Sequence, residues 1–400
     1  MTDMETSMFL YPWDLIDEGI GPVLDRMKKS GLNGITICPT YHSGMFLMPH
    51  NPKRKLVFPE PGALYFEPNR AWHGNIRIEP PISGMADNGF WNRLRKEADS
   101  RGMSITAWTI ALHGTGIGTR YPDTNVVNAF GDANPAIPCA ANDDVRTYMV
   151  ALAGDLASRG WFDTLLFESL ECMPLRHGYH HEVIGIPLTP STEFLLSLSF
   201  SESMVKKASA AGIDVEKVRD FVRAACQAEF DRPHGAKSLT WQELREAADG
   251  EMGKFLDFRK RLLTSLLAEI HRETKGKTKL SVIDFGPVWY PMGSDGTGWE
   301  SGLDLMNYAP FLDQVNPTFY FKDLGQLRAK TAEYVRMLAD AGADLPLKPI
   351  LRPILPQTES RAQLVAQIRE LRKSVQGLSF YNYSFLSLET LEWIEEGLRT

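Results

Sequence analysis

Asp163-Thr-Leu-Leu-Phe-Glu168 is a short apolar run closed by an acid. A strand buried on both faces reads as such a run. An acid at its end either faces a polar cavity or is buried at considerable cost. Upstream, Asn142-Asp-Asp144 caps a helix that ends near Ser158. Downstream, a helix over Trp241 to Lys275 leads to the next apolar run, Lys279 to Phe285. The same alternation covers the chain, with strands predicted at Met8 to Trp13, Gly34 to Tyr41, Ser104 to Leu112, Phe162 to Phe167, Lys279 to Phe285, Gln314 to Phe319, Lys348 to Leu355 and Gly377 to Tyr383. Helical periodicity separates them, as in Val23, Leu24 and Met27 between Ile20 and Ser30, closed by Gly31. About eight such β/α units predict the α/β class and a (β/α)8 barrel.

An open doubly wound sheet would need a phosphate-cradling glycine pattern in its first strand–helix turn. Leu10-Tyr-Pro-Trp-Asp-Leu15 lacks it, and Gly114-Thr-Gly-Ile-Gly118 reads as a loop that does not open a helix. Residues 1–400 read as one barrel domain with insertions at about 43–87 and 169–240. The first carries Leu56 to Phe66, read as a hairpin on the rim. The second carries Ser201 to Glu229, whose stripe of Val215, Val218, Phe221, Val222 and Ala225 predicts a helical lid after the fourth strand.

The 43 Lys and Arg against 50 Asp and Glu give a net charge of −7 with no long basic run, so the footprint of a nucleic-acid binder is missing. No apolar run approaches the roughly 18 residues of a membrane span. The acidic start Met1-Thr-Asp-Met-Glu-Thr-Ser7 argues against a secretory signal, and a cytoplasmic location is expected. Cys38, Cys139, Cys172 and Cys226 are far apart and read as reduced thiols, with Cys172 placed in the loop after the Glu168 strand.

Barrel enzymes keep their chemistry at the carboxyl ends of the strands. Most of the nine histidines fall there, His42 after the second strand, His113 after the third, and His177, His180 and His181 after the fourth. Glu168 is the first catalytic candidate, because burial would raise its pKa toward that of a general acid. Asp284, ending the adjacent strand, is the second, since glycosidic cleavage uses two carboxyls roughly 5 to 9 Å apart. Asp14 and Glu171 are alternates that also serve as sugar contacts. Trp13, Tyr41, Trp289, Tyr320, Tyr381 and Tyr383 offer rings for sugar faces, Arg352 and the histidines offer polar contacts, and Trp299 is a further loop candidate. Trp91, Trp108, Trp161, Trp241 and Trp393 are expected to fill the core. The stretch Arg176-His-Gly-Tyr-His-His-Glu182 has neither helical H-E-x-x-H spacing nor a zinc-ribbon pattern, so no resident metal is assigned, and a divalent ion stands as the alternative.

Gly160-Trp-Phe-Asp-Thr-Leu-Leu-Phe-Glu168 resembles the fourth-strand segment of glycoside hydrolase barrels, where an acid sits at the strand end. Val315-Asn-Pro-Thr-Phe-Tyr320 and Gly377-Leu-Ser-Phe-Tyr-Asn-Tyr383 are similar to the sixth and eighth strands of chitinase-like and other glycosidase-like barrels. The chain departs from both patterns. Only Asp163 stands where the chitinase type carries several aspartates, and Ile350-Leu-Arg-Pro353 has no strand-seven glutamate. The resemblance implies an enzyme that cleaves a small glycoside, with Glu168 as acid/base and Asp284 as partner. Two alternatives stand beside it. One is a metal-dependent sugar isomerase, epimerase or hydrolase holding its ion with Glu168, Asp284 and two histidines. The other is a sugar-binding barrel without catalysis, motivated by the missing strand-seven carboxylate.

Overall fold

The computed structural model describes residues 4–176, 182–290, 298–340 and 342–399. Eight parallel strands form one sheet: β1 Glu5–Leu10, β2 Gly34–Ile37, β3 Ser104–Ile110, β4 Thr164–Glu168, β5 Lys279–Asp284, β6 Gln314–Pro317, β7 Ile350–Leu351 and β8 Gly377–Phe380. Their spatial order is β6-β5-β4-β3-β2-β1-β8-β7. Parallel bridges from Val315 to Leu347 and from Thr318 to Ile350 join the two outer strands. The sheet thereby curls into a nearly closed barrel with helices around it, as the alternation predicted.

The strand cores are apolar because both faces are covered. Leu165, Leu166, Phe167, Val282 and Val315 are all buried. The capping reading of Asn142 holds, since its side chain accepts from the N–H groups of Asp144 and Val145 at the start of the helix Asp143–Ser158. Most strand ends come earlier than expected. β1 stops at Leu10 because Pro12, with its preset φ and missing N–H, opens the helix Pro12–Glu18. Trp13 and Asp14 are therefore helical residues. β2 stops at Ile37, and Thr40–Tyr41 instead pairs antiparallel with Ala63–Leu64. Leu56–Val57 pairs with Phe46–Leu47, so the expected rim hairpin within Leu56 to Phe66 is replaced by two separate ladders.

The glycine run also differs from its reading, for Gly114 caps a short helix, Thr115–Arg120. Its glycines serve close packing. A Cβ on Gly116 would lie 2.1 Å from the Pro61 carbonyl oxygen, and one on Gly118 equally close to that of Pro135. The stretch read as a lid forms two helices, Glu202–Ala210 and Val215–Asp231, which break at Gly212 in the left-handed region. The second packs on Pro190–Ser197 and on the long helix Glu251–Thr274. The expected Trp241 to Lys275 helix is interrupted before Glu251, where Ala248, Asp249 and Gly250 all adopt positive φ.

Candidate active site

A cavity of about 300 Å³ opens over the carboxyl ends of the strands, a size suited to a small ligand. Glu168 forms part of its wall. The β4–β5 register sets Phe167 opposite Val282, so Glu168 falls beside Ile283, which also lines the cavity. The Glu168 carboxyl is buried, and the indole N–H of Trp108 on β3 donates to its Oε2 at 2.5 Å. Burial raises its pKa from 4.5 to about 7, against the opposing effect of the Trp108 hydrogen bond. The next residue, Ser169, has φ 58, a left-handed conformation that costs a non-glycine residue about 1–2 kcal/mol and turns the chain sharply away from the strand.

Four other expected contacts share the cavity: Trp289, Tyr320, Arg352 and Tyr381. Trp289 stacks face to face on Phe285, with ring centroids 3.4 Å apart. Arg352 lies over the Tyr320 ring at 5.8 Å from its centroid. Tyr381 is edge-on to Trp108 and to Phe9. Phe9, Phe285, Val288, Ile350 and Gln357 complete the described lining without having been singled out as contacts in the sequence. Gln357 had no strand-end signal, for it reaches the cavity from the loop after β7.

Asp284 is not among the lining residues. Side chains alternate along a strand, so with Ile283 facing the cavity the next residue faces the surrounding helices. There Tyr334, on the helix Leu324–Asp340, donates to the Asp284 Oδ2 at 2.5 Å, and the Gly286 N–H donates to Oδ1 at 2.7 Å. The second bond is an Asx turn, legible in principle from Asp284-Phe-Gly286. Burial raises the Asp284 pKa while these bonds oppose the rise.

The remaining expected contacts surround the cavity or lie apart from it. Tyr41 meets Trp108 edge-on at 4.9 Å, and His42 stacks between Tyr41 and His113, with centroids 4.2 Å from each. Trp13 is fully buried, stacked on Tyr11. Asp14 accepts from the Tyr11 N–H at 2.8 Å and from the Ser384 hydroxyl at 2.6 Å, so it caps its own helix and ties it to the segment after β8. Burial holds its pKa at about 7. Tyr383 points away from the cavity and donates to Glu18. Glu171 is fully buried, with its pKa pushed well up by burial first and then by the charges of Asp284 and Glu168. Trp299 is core, packed on Trp241 and Phe194. His177, His180 and His181 lie outside the described residues. The Cys172 thiol is pushed up by burial, which disfavours the nucleophilic thiolate.

Among the described residues, no group of three or more His, Cys, Asp or Glu side chains is placed to hold a metal ion, and no helix is long and apolar enough to cross a membrane. No protein-family model matches the chain, and no curated protein matches it. Solved structures do. The glycoside hydrolase domain of PgaB (BpsB) from Bordetella bronchiseptica superposes with a TM-score of 0.57 at 13% identity, covering 96% of this chain and 95% of that one. The shared feature is the parallel β/α barrel. The catalytic domain of a β-amylase from Paenibacillus polymyxa gives 0.55 at 10% identity, over 98% of this chain and 97% of that one. A β-galactosidase from Marinomonas ef1 gives 0.58 at 11% identity, over 98% of this chain and 58% of that one. At such identities the barrel is what the chains share.

Proposed function

We propose that this barrel hydrolyses the glycosidic bond of a small glycoside, with Glu168 donating the proton to the leaving oxygen. One observation carries the reading: a carboxyl at the end of β4, in the wall of an aromatic cavity, with a pKa raised to about 7. A group of that pKa is half protonated near neutral pH and can act as a general acid there. Trp289, Tyr320 and Tyr381 supply flat faces and hydroxyls for a sugar ring. Asp284 supports the strand end from outside the cavity, through Tyr334 and Gly286.

The test is hydrolysis of a panel of 4-nitrophenyl glycosides by wild-type protein and by Glu168→Gln. Turnover that Glu168→Gln abolishes supports the proposal; turnover that survives intact removes Glu168 from the chemistry. The sugar-binding reading without catalysis keeps one observation in its favour. Glu168 is the sole carboxylate lining the cavity among the described residues, whereas paired-carboxyl hydrolysis needs two. Sugar binding with no turnover across the panel would select it.

A further inference from the structure

Among the described residues, the cavity that holds Glu168 also holds one cation, Arg352. Arg352 follows β7 directly, and its backbone is fixed because its carbonyl accepts from the Thr358 hydroxyl at 2.9 Å. Among the described residues its guanidinium makes no ion pair, and its buried Nε has no hydrogen-bond partner. The neighbouring Gln357 is held the same way, by its N–H on the Ile354 carbonyl and its own carbonyl on the Gln363 amide. Its side-chain oxygen is likewise buried and unpartnered. An unsatisfied donor and acceptor on one cavity wall are costly unless a ligand completes them.

Glu168 does not neutralise Arg352. Among the described residues the two form no ion pair. When Glu168 carries its proton, Arg352 is therefore the one charged side chain among the described residues of the lining, a charge of +1.

Resting on the glycosidase reading above, we infer that the sugar taken by this cavity bears a carboxylate, as a uronic acid does, with the Arg352 guanidinium holding the carboxylate and the Gln357 side-chain oxygen accepting from an adjoining hydroxyl. A planar fork of N–H donors matches a carboxylate, and a single positive charge balances a monoanion. A phosphate ester, with about −1.5 to −2 charge, would remain under-compensated here.

Calorimetric titration measures this without depending on turnover. The probes are glucuronate and galacturonate, the neutral sugars glucose and galactose, and glucose 6-phosphate. One of the uronates is expected to bind about 10- to 100-fold more tightly than its neutral counterpart, the range of a hydrogen bond to a charged group. Glucose 6-phosphate is expected to bind more weakly than that uronate. Arg352→Met should bring the uronate to the level of the neutral sugar, and Arg352→Lys should recover part of the difference. Equal affinity for uronate and neutral sugar in the wild-type protein, tighter binding of the phosphate, or a preference that survives Arg352→Met would each overturn the inference. The comparison within wild-type protein stands even if a variant fails to fold. Hydrolysis of neutral glycosides without uronate preference would sink this inference and leave the hydrolase reading in place. Uronate preference without any hydrolysis would do the opposite.

Discussion

Glu168 and Asp284 end adjacent strands, and both are buried acids with raised pKa values, yet they occupy different environments. Glu168 closes β4 in phase with the cavity wall and meets one indole N–H. Asp284 closes β5 out of phase, in the layer between barrel and helices, where a phenol and a backbone N–H hold it. One position of register separates a carboxyl available to a ligand from one used to fasten a helix to a strand. Similar residues at neighbouring strand ends therefore sit in different environments.

The contrast breaks most readily at Glu168. Glu168→Gln should lower turnover by about 10²- to 10⁴-fold, the usual worth of a positioned acid, with circular dichroism unchanged. Equal losses in Glu168→Gln and Asp284→Asn would erase the distinction drawn between the two.

The pH dependence sharpens it. The fold binds the Glu168 proton more tightly than the unfolded chain does, so the associated stability is fully present below pH 4.5 and is lost as pH rises toward about 7. The whole loss is about 3 kcal/mol, and Glu168→Gln should remove that part of the stability–pH curve, measured as denaturant midpoints between pH 4 and 8. Over the same titration kcat/KM should fall about tenfold per unit above pH 7 as the acid form disappears. An activity profile flat to pH 9 would contradict the assignment.

For Asp284 the expected effect is on stability. Tyr334→Phe leaves a buried carboxyl without its phenol donor and should cost about 1–3 kcal/mol in urea unfolding. Asp284→Asn keeps one acceptor oxygen, for the Gly286 N–H, and sets an amide NH2 opposite the Tyr334 hydroxyl, which can accept from it; turnover should stay within about threefold of wild type. The smallest effect belongs to Trp108→Phe. The indole N–H favours the ionised form of Glu168, so its loss should move the alkaline limb of the activity profile upward by about one pH unit. A downward move would mean that the indole serves the protonated form instead.

Much of the architecture was legible in the sequence because β/α alternation is a local signal: apolar runs, helical stripes, and caps such as Asn142 depend on neighbours a few residues away. The acid at the end of Asp163-Thr-Leu-Leu-Phe-Glu168 was legible for the same reason. The placement of Asp14, expected as a sugar contact, was not legible, because Pro12 restarts the chain as a helix and turns the acid onto Tyr11 and Ser384. Trp299, read as a loop candidate beside its glycines, packs in the core against Trp241. Gln357 carried no local signal, for only the packing of its loop brings its side chain to the cavity.

The sequence by itself determined the succession of strands and helices and the presence of an acid closing β4, since both follow from short-range patterning. Which acid faces the cavity, which cation shares it, and which aromatics form its wall were decided by strand register and barrel curvature. Those depend on pairings between residues far apart in the chain, such as Phe167 with Val282 and Thr318 with Ile350, which local periodicity does not encode.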